Sequence, residues 1–279
     1  MSDAAKREAW KEYLADETER GRRAAERFPF KLVETTGKRA LETWRAVKTQ
    51  QDGAPVVLGG PGDVYRIADR MASMRERGDT PEAVLSGAAR VHFPDDLSRE
   101  RARGYARAEA FWRAERDAGR AVWFDPDRGW PPIGSWPDKA YEEEPLAVAS
   151  QWDFQRDPDA AKPARRVPLE QVYIAILPGA DATEAPAHLL WGDWNDVPRS
   201  EMLVAALSSW RDRYGAELVG ISHDTWSLYV ERPPQDRDDA LRLAREMVAL
   251  CQDLLGEVKT LQGQAALAMA NQWWNFWWD

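Results

Sequence analysis

Cysteine is nearly missing from this 279-residue chain. Cys251 stands alone, which excludes an intramolecular disulfide and any cysteine-built zinc cluster and fits a reducing compartment. Histidine is almost as scarce, with three residues, and no pair falls at the His-x-x-x-His spacing of a helix-borne metal site. No run of about 18 apolar residues is present to span a membrane, and Met1 to Gly21 is charged where a signal peptide would be apolar. These absences predict a cytoplasmic protein without a membrane segment. A phosphate-cradling glycine loop is also missing. Val57 to Asp63 reads as strand, glycine turn and helix start, yet it lacks the Gly-Lys-Ser/Thr of a nucleotide loop and the third glycine of a dinucleotide fingerprint. Asp63 would also put negative charge where an anion should sit, so this stretch reads as a tight turn with Asp63 capping the next helix. Neither a cofactor nor a metal is predicted.

What the chain does have is acid and tryptophan. The net charge of −9 resides in residues 169–279, where 8 Lys+Arg face 17 Asp+Glu. Such a segment repels nucleic-acid backbones and anionic membranes, so the charged partner it predicts is a basic protein. Against 30% charged residues stand 15 tryptophans, each able to bury about 150–250 Å², which argues for a packed core over disorder.

The pattern of elements predicts an α+β fold: an N-terminal helical and βαβ region over residues 1–123, an irregular connection over 124–168, and a C-terminal, mostly antiparallel sheet packed by amphipathic helices over 169–279. In the first part, Ala4 to Phe28 reads as a helix that Pro29 ends. Strands at Lys31 to Glu34 and Pro55 to Leu58 flank a helix at Lys38 to Gln50, a spacing that predicts parallel neighbours. In the last part, Val172 to Leu177, His188 to Trp191, Glu217 to Ser222 and Trp226 to Glu231 read as strands. Ser200 to Tyr214, capped by Ser200 and stopped by Gly215, and Asp238 to Leu255 read as helices. Cys251 falls in the apolar stripe of the second, a packing position. A last helix, Val258 to Ala270, leads to Trp273, Trp274, Phe276, Trp277 and Trp278, whose alternation predicts a strand with one face on the core and the other under a helix.

Leu190-Trp191-Gly192-Asp193-Trp194-Asn195 with Pro198, then Trp210, Tyr214-Gly215-Ala216-Glu217, Asp224-Thr225, Arg232-Pro233-Pro234 and the terminal Phe276-Trp277-Trp278-Asp279 form an ordered set of motifs. In them, residues 169–279 resemble the family called domain of unknown function 4253. The resemblance brings no reaction with it. It implies companions in bacterial gene neighbourhoods of the toxin-immunity kind.

Two functions from different classes follow, and the first is favoured because acid is abundant while a nucleophile, a metal cluster and a cofactor loop are absent from the sequence. One is a protein-binding module, of immunity or toxin-neutralising type, whose loops present Asp193, Trp194, Asn195, Arg199, His223, Asp224 and Trp226 to a partner. The other is a hydrolase-type enzyme using His188, Asp193, Asn195, His223 and Asp224, imidazole and carboxylate being the groups that move protons; Glu231 is a further carboxylate in reach of this chemistry. Structural duties compete for the same residues: a capped turn for Asp224-Thr225 and a half-buried strand position for His188. Histidine and carboxylates meeting in one concave pocket would favour the enzyme. An acidic face with exposed aromatic anchors would favour the binder.

Overall fold

The computed structural model describes residues 3–120, 131–140, 142–152 and 166–279. Part of the predicted connection, residues 124–130, 141 and 153–165, lies outside the described residues. The elements are helices α1 (Asp3–Glu26), α2 (Ala40–Gln50), α3 (Pro61–Glu76), α4 (Pro81–Ala88), α5 (Asp95–Asp117), α6 (Ala185–His188), α7 (Ser200–Tyr214), α8 (Arg237–Leu250), α9 (Leu255–Val258) and α10 (Leu261–Ala270). The strands are β1 (Lys31–Thr35), β2 (Ala54–Gly59), β3 (Ser150–Trp152), β4 (Arg166–Pro168), β5 (Val172–Leu177), β6 (Ala216–Ile221), β7 (Thr225–Val230) and β8 (Trp273–Trp277). The fold is α+β.

Six strands form one mixed sheet in the order β1-β5-β2-β6-β7-β8, and β3 pairs with β4 apart from it. Every pairing in the large sheet is antiparallel except β2 with β6. β1 and β2 do run the same way, but they are not neighbours, because β5 lies between them and pairs antiparallel with both. The sheet therefore draws on both ends of the chain.

Alternation of side chains along the strands gives the sheet two covered faces. On one, Val56, Leu58, Ala175, Leu218, Trp226, Leu228 and Phe276 meet Ile67 and Met71 of α3, Trp210 of α7 and Leu243 and Met247 of α8. On the other, Val57, Ile174 and Val219 meet Trp44 of α2 and Val148. Tryptophan dominates the first face: Trp210 stacks on Phe276 at 5.5 Å, and Trp226 lies 5.1 Å from Trp191 and 5.3 Å from Trp278.

Local chemistry explains where several elements differ from expectation. His188 to Trp191 is not a strand. Asp181 caps a short helical stretch by accepting from Thr183 N–H, and Ala185-Pro186-Ala187 carry it into α6, proline fitting the first helical turn. The start of α7 has Arg199 at the cap position without a side-chain cap bond. Ser200 is buried and donates its hydroxyl to Trp191 O at 2.9 Å. Gly215 does stop α7, at φ +63°. α8 begins after Asp236, which accepts from Asp239 N–H, and ends at Leu250, since Cys251 adopts an extended backbone. The tail strand β8 forms on the sheet edge with Trp274, Phe276 and Trp278 buried. Its other face is only partly covered: Trp273 packs on Tyr229 at 5.6 Å, while Trp277 is 50% exposed.

Candidate functional site

A tight turn between β6 and β7 carries Ser222, His223 and Asp224. Ser222 N–H donates to Thr225 O at 2.8 Å, Thr225 N–H donates to Ser222 Oγ at 3.0 Å, and Asp224 Oδ1 accepts from the Ser222 and Thr225 hydroxyls. These bonds fix the turn and leave Asp224 Oδ2 beside the imidazole. His223 thereby faces the first turn of α3. Here Gly59, at φ +91°, lets β2 turn sharply, a side chain at that position having only 2.3 Å to Asp63 Oδ2. Gly60 is the cap residue, and Asp63 stands three positions inside the helix, where Oδ2 accepts from Gly60 N–H at 2.7 Å. The expected Asp63 cap is thus replaced by the return arm of a capping box.

With Oδ2 committed, Oδ1 of Asp63 sits 2.6 Å from His223 Nδ1. The other ring nitrogen, Nε2, lies 2.7 Å from Arg66 Nη1 and 3.1 Å from Asp224 Oδ2. Neutral His223 with its proton on Nδ1 can accept from Arg66, and the imidazolium can donate from Nε2 to Asp224, so each protonation state has a partner. Burial alone lowers the His223 pKa, but the hydrogen bond and charge of Asp63, helped by Asp224, outweigh it and the neighbouring Arg66, and the net shift is upward. Arg66 is held in place by Glu17 Oε1 at 2.7 Å.

His223 lines a cleft of about 410 Å³. One wall is a stripe of α3 in which Arg66, Arg70, Ser73 and Arg77 are spaced three or four residues apart and so lie on one helix face, with Asp69 beside them. The opposite wall is the loop bearing Trp191, Asp193 and Trp194. That loop holds three non-glycine residues in the left-handed region, Leu190, Asp193 and Asn195, together with Gly192 at φ +136°, conformations that persist only where the surroundings impose them. Arg70 imposes one of them by donating twice to Gly192 O, at 2.7 and 3.1 Å. Trp191 ties this loop to the His223 turn through Nε1–H to Ser222 O at 2.8 Å.

Of the residues singled out in the sequence, Asp193, Trp194, His223 and Asp224 gather in or directly behind this cleft. Asp193 is exposed and pairs with Arg77 at 3.0 Å. Trp194 is half-buried, edge-on to Trp191 at 6.1 Å. Asn195 donates to Asp279 O at 2.8 Å, and Arg199 is exposed at the head of α7. Trp226 is 0% exposed and presents nothing to a partner, because its position on β7 points into the main core. His188, closing α6, is buried beside Phe30 and does not line the cleft; its strand setting gives way to a helix end, 3.6 Å from Glu184. Glu231 is exposed and pairs with Arg232. The residues that sequence reading passed over are Asp63 as a partner of histidine and the arginines of α3. Their signal was the spacing of Arg66, Arg70 and Arg77 on the polar side of a helix read through its apolar side.

Asp63, His223 and Asp224 each bring one ligand atom within 4.8 Å of the others, a spacing a divalent cation could use. Both ring nitrogens are nonetheless engaged, and the Arg66 guanidinium lies where an ion on Nε2 would sit. The three residues as placed form a hydrogen-bonded charge network.

The ordered motifs now have positions: Trp191-Gly192-Asp193-Trp194 as a cleft wall, Asp224-Thr225 as the turn between β6 and β7, Phe276-Trp277-Trp278 at the edge strand. Residues 173–279 match the family model DUF4253, a domain of unknown function. No curated protein and no solved structure matches the chain. The DUF4253 segment supplies His223, Asp224, Trp191 and Trp194 to the cleft, while Asp63 and the α3 arginines come from outside it. No helix among the described residues is long and apolar enough to cross a membrane.

Proposed function

We propose that the cleft is the active site of a hydrolase in which His223 is the general base and Asp63 its orienting partner. The observation that carries this reading is the 2.6 Å contact between Asp63 Oδ1 and His223 Nδ1, behind a ring that lines a concave site. Such a carboxylate fixes the ring and stabilises the imidazolium. Once Arg66 Nη1 turns from Nε2 to the bound substrate, Nε2 is free to take a proton from a water whose oxygen attacks a carbonyl or phosphoryl centre. The bond to the leaving group breaks with its electron pair on that group, which recovers the proton from the imidazolium. Arg66, already directed at Nε2, is placed to meet negative charge developing on the attacked centre. In this reading the protein works in the cytoplasm.

The test is hydrolysis of a panel of chromogenic carboxylic and phosphoric esters by the parent, His223→Gln and Asp63→Asn. General-base catalysis contributes about 10²- to 10⁴-fold, so His223→Gln should lose turnover by that order and Asp63→Asn by less, with both still folded. Equal turnover by His223→Gln and the parent would sink the assignment.

A second reading, a protein-binding module for a basic partner, draws support from a different place. Trp277 and Trp152 are 50% and 43% exposed in a groove also lined by Glu142, Glu144 and Asp253. Burial first, with the charges of Asp279 and Asp196 adding to it against the Asp279 backbone N–H bond, raises the Asp253 pKa. Trp277→Ala together with Asp253→Asn should abolish capture of a basic partner and leave ester hydrolysis untouched if both roles exist.

A further inference from the structure

Arg70 differs from the other two arginines of its stripe. Arg66 pairs with Glu17, and Arg77 with Asp193 and Asp79. Arg70 is half-buried, lines the cleft, and has no carboxylate partner among the described residues. Its Nε and Nη2 are spent on Gly192 O, and its guanidinium lies 5.7 Å from the centre of the Trp194 ring. Nη1 is left with no partner among the described residues. Burial lowers the Arg70 pKa, and Arg77 adds to this against the opposing pull of Asp193. A guanidinium pinned by a carbonyl and an aromatic face, yet short of an anion, is a rigid half of a binding pair, since burying an unpaired charge is costly until a counter-charge arrives.

Ser73, three residues along the same face, is exposed and lines the cleft, and its hydroxyl has no hydrogen-bond partner among the described residues. Arg66 lies one turn the other way, against His223. Arg70 and Ser73 are neighbours one turn apart on the helix surface, as are Arg70 and Arg66, and all three line the cleft that holds the imidazole. A carboxylate has two oxygens to offer three donor groups; a phosphoryl group has three.

We propose that Arg70, with Ser73 and Arg66, forms a phosphoryl subsite, and that the substrate of this cleft is a small phosphate ester whose phosphorus lies next to His223. This rests on the hydrolase reading for the chemistry and stands apart from it for the binding. Water supplies the attacking oxygen, the ester P–O bond breaks, and the products are inorganic phosphate and the alcohol.

The probe is inorganic phosphate, followed by titration calorimetry and by ³¹P line broadening on the full chain, with acetate as the carboxylate control. The parent should bind phosphate more tightly than acetate by tenfold or more. Arg70→Met should weaken phosphate by at least tenfold, and Arg70→Lys, which keeps the charge without the fork, by less. Thermal melts of each variant establish that it is folded. Parent-like phosphate binding by a folded Arg70→Met, or equal binding of acetate and phosphate, overturns the subsite. Phosphate binding lost with Arg70 but no ester turnover by the parent would leave the subsite standing and remove the hydrolase reading instead.

Discussion

The raised pKa of His223 makes the protein's stability depend on pH in a stated direction. A histidine whose pKa is higher in the folded chain than in the unfolded one binds its proton more tightly when folded. That contribution is present in full below the ordinary value of 6.5 and fades as pH rises through the folded value. Replacing His223 by glutamine should therefore cost more stability at pH 6 than at pH 9, as read from urea midpoints; an equal cost at both would show that Asp63 and Asp224 do not hold a charged ring. The same shift places the rising limb of any general-base rate profile above pH 6.5. Cys251 sets a second expectation. It is fully buried, and burial first, then the charge of Asp253, push its thiol up to about 12. Iodoacetamide should leave the native chain unlabelled at pH 8 and add one group after denaturation, as mass spectrometry would show. At this scale the sequence was informative where chemistry is local, as with the Asp224-Thr225 turn and the apolar setting of Cys251. It was silent on Asp63, because the residue that gives a carboxylate its second duty lies 160 positions away.

Among the elements, the edge strand β8 bears most weight. Trp274, Phe276 and Trp278 place their side chains against Trp210, Trp226 and Trp191, and Trp274 and Trp278 donate ring N–H groups to Ala268 O and Leu250 O. Phe276 is 0% exposed and stacked against Trp210, so truncation to alanine leaves a cavity in a close-packed aromatic layer. Phe276→Ala should lose about 3–5 kcal/mol, measured by urea denaturation, whereas the half-exposed Trp277→Ala should lose far less. Similar losses at both positions would mean that the two faces of β8 are not distinguished by packing. The apolar runs of β6 and β7 and the alternation of β8 were legible in the sequence, as were α7 with its glycine stop and the tail's docking. His188 to Trp191 was not. A short apolar run fits a buried helix end as well as a strand, and the deciding bond, from Asp181 to Thr183 N–H, belongs to residues before the run.

For the whole molecule, the decisive feature is that β5 is inserted between β1 and β2 while β2 in turn separates β5 from β6. The segment 169–279 alone would hold β6, β7 and β8 together but leave β5 without either neighbour, and it would expose the hydrogen-bonding edges of β5 and β6 that β2 pairs with. A chain restricted to residues 169–279 should show no cooperative thermal transition; a cooperative melt near that of the full chain would disprove the dependence. The cleft is shared in the same way, with arginines from α3 on one wall and the His223 turn and the Trp194 loop opposite. Neither half contains the candidate site. Sequence periodicity conveys which residues form strands, but the order of those strands is set by contacts between distant parts of the chain, and that order was the least legible property of all.

The placement of β5 also bears on synthesis. A ribosome adding about 5–20 residues per second releases β1, α2, β2 and α3 well before Val172 to Leu177 exist, a gap of roughly 6–25 s. Throughout that interval the edges of β1 and β2 that pair with β5 in the folded sheet are without that partner. Two parallel strand edges held open in this way are a template for any extended segment that arrives first, from the same nascent chain or from a neighbour on the same message. The cell's protection against mispairing must therefore act on the first third of the polypeptide, while the histidine end of the cleft has yet to be translated.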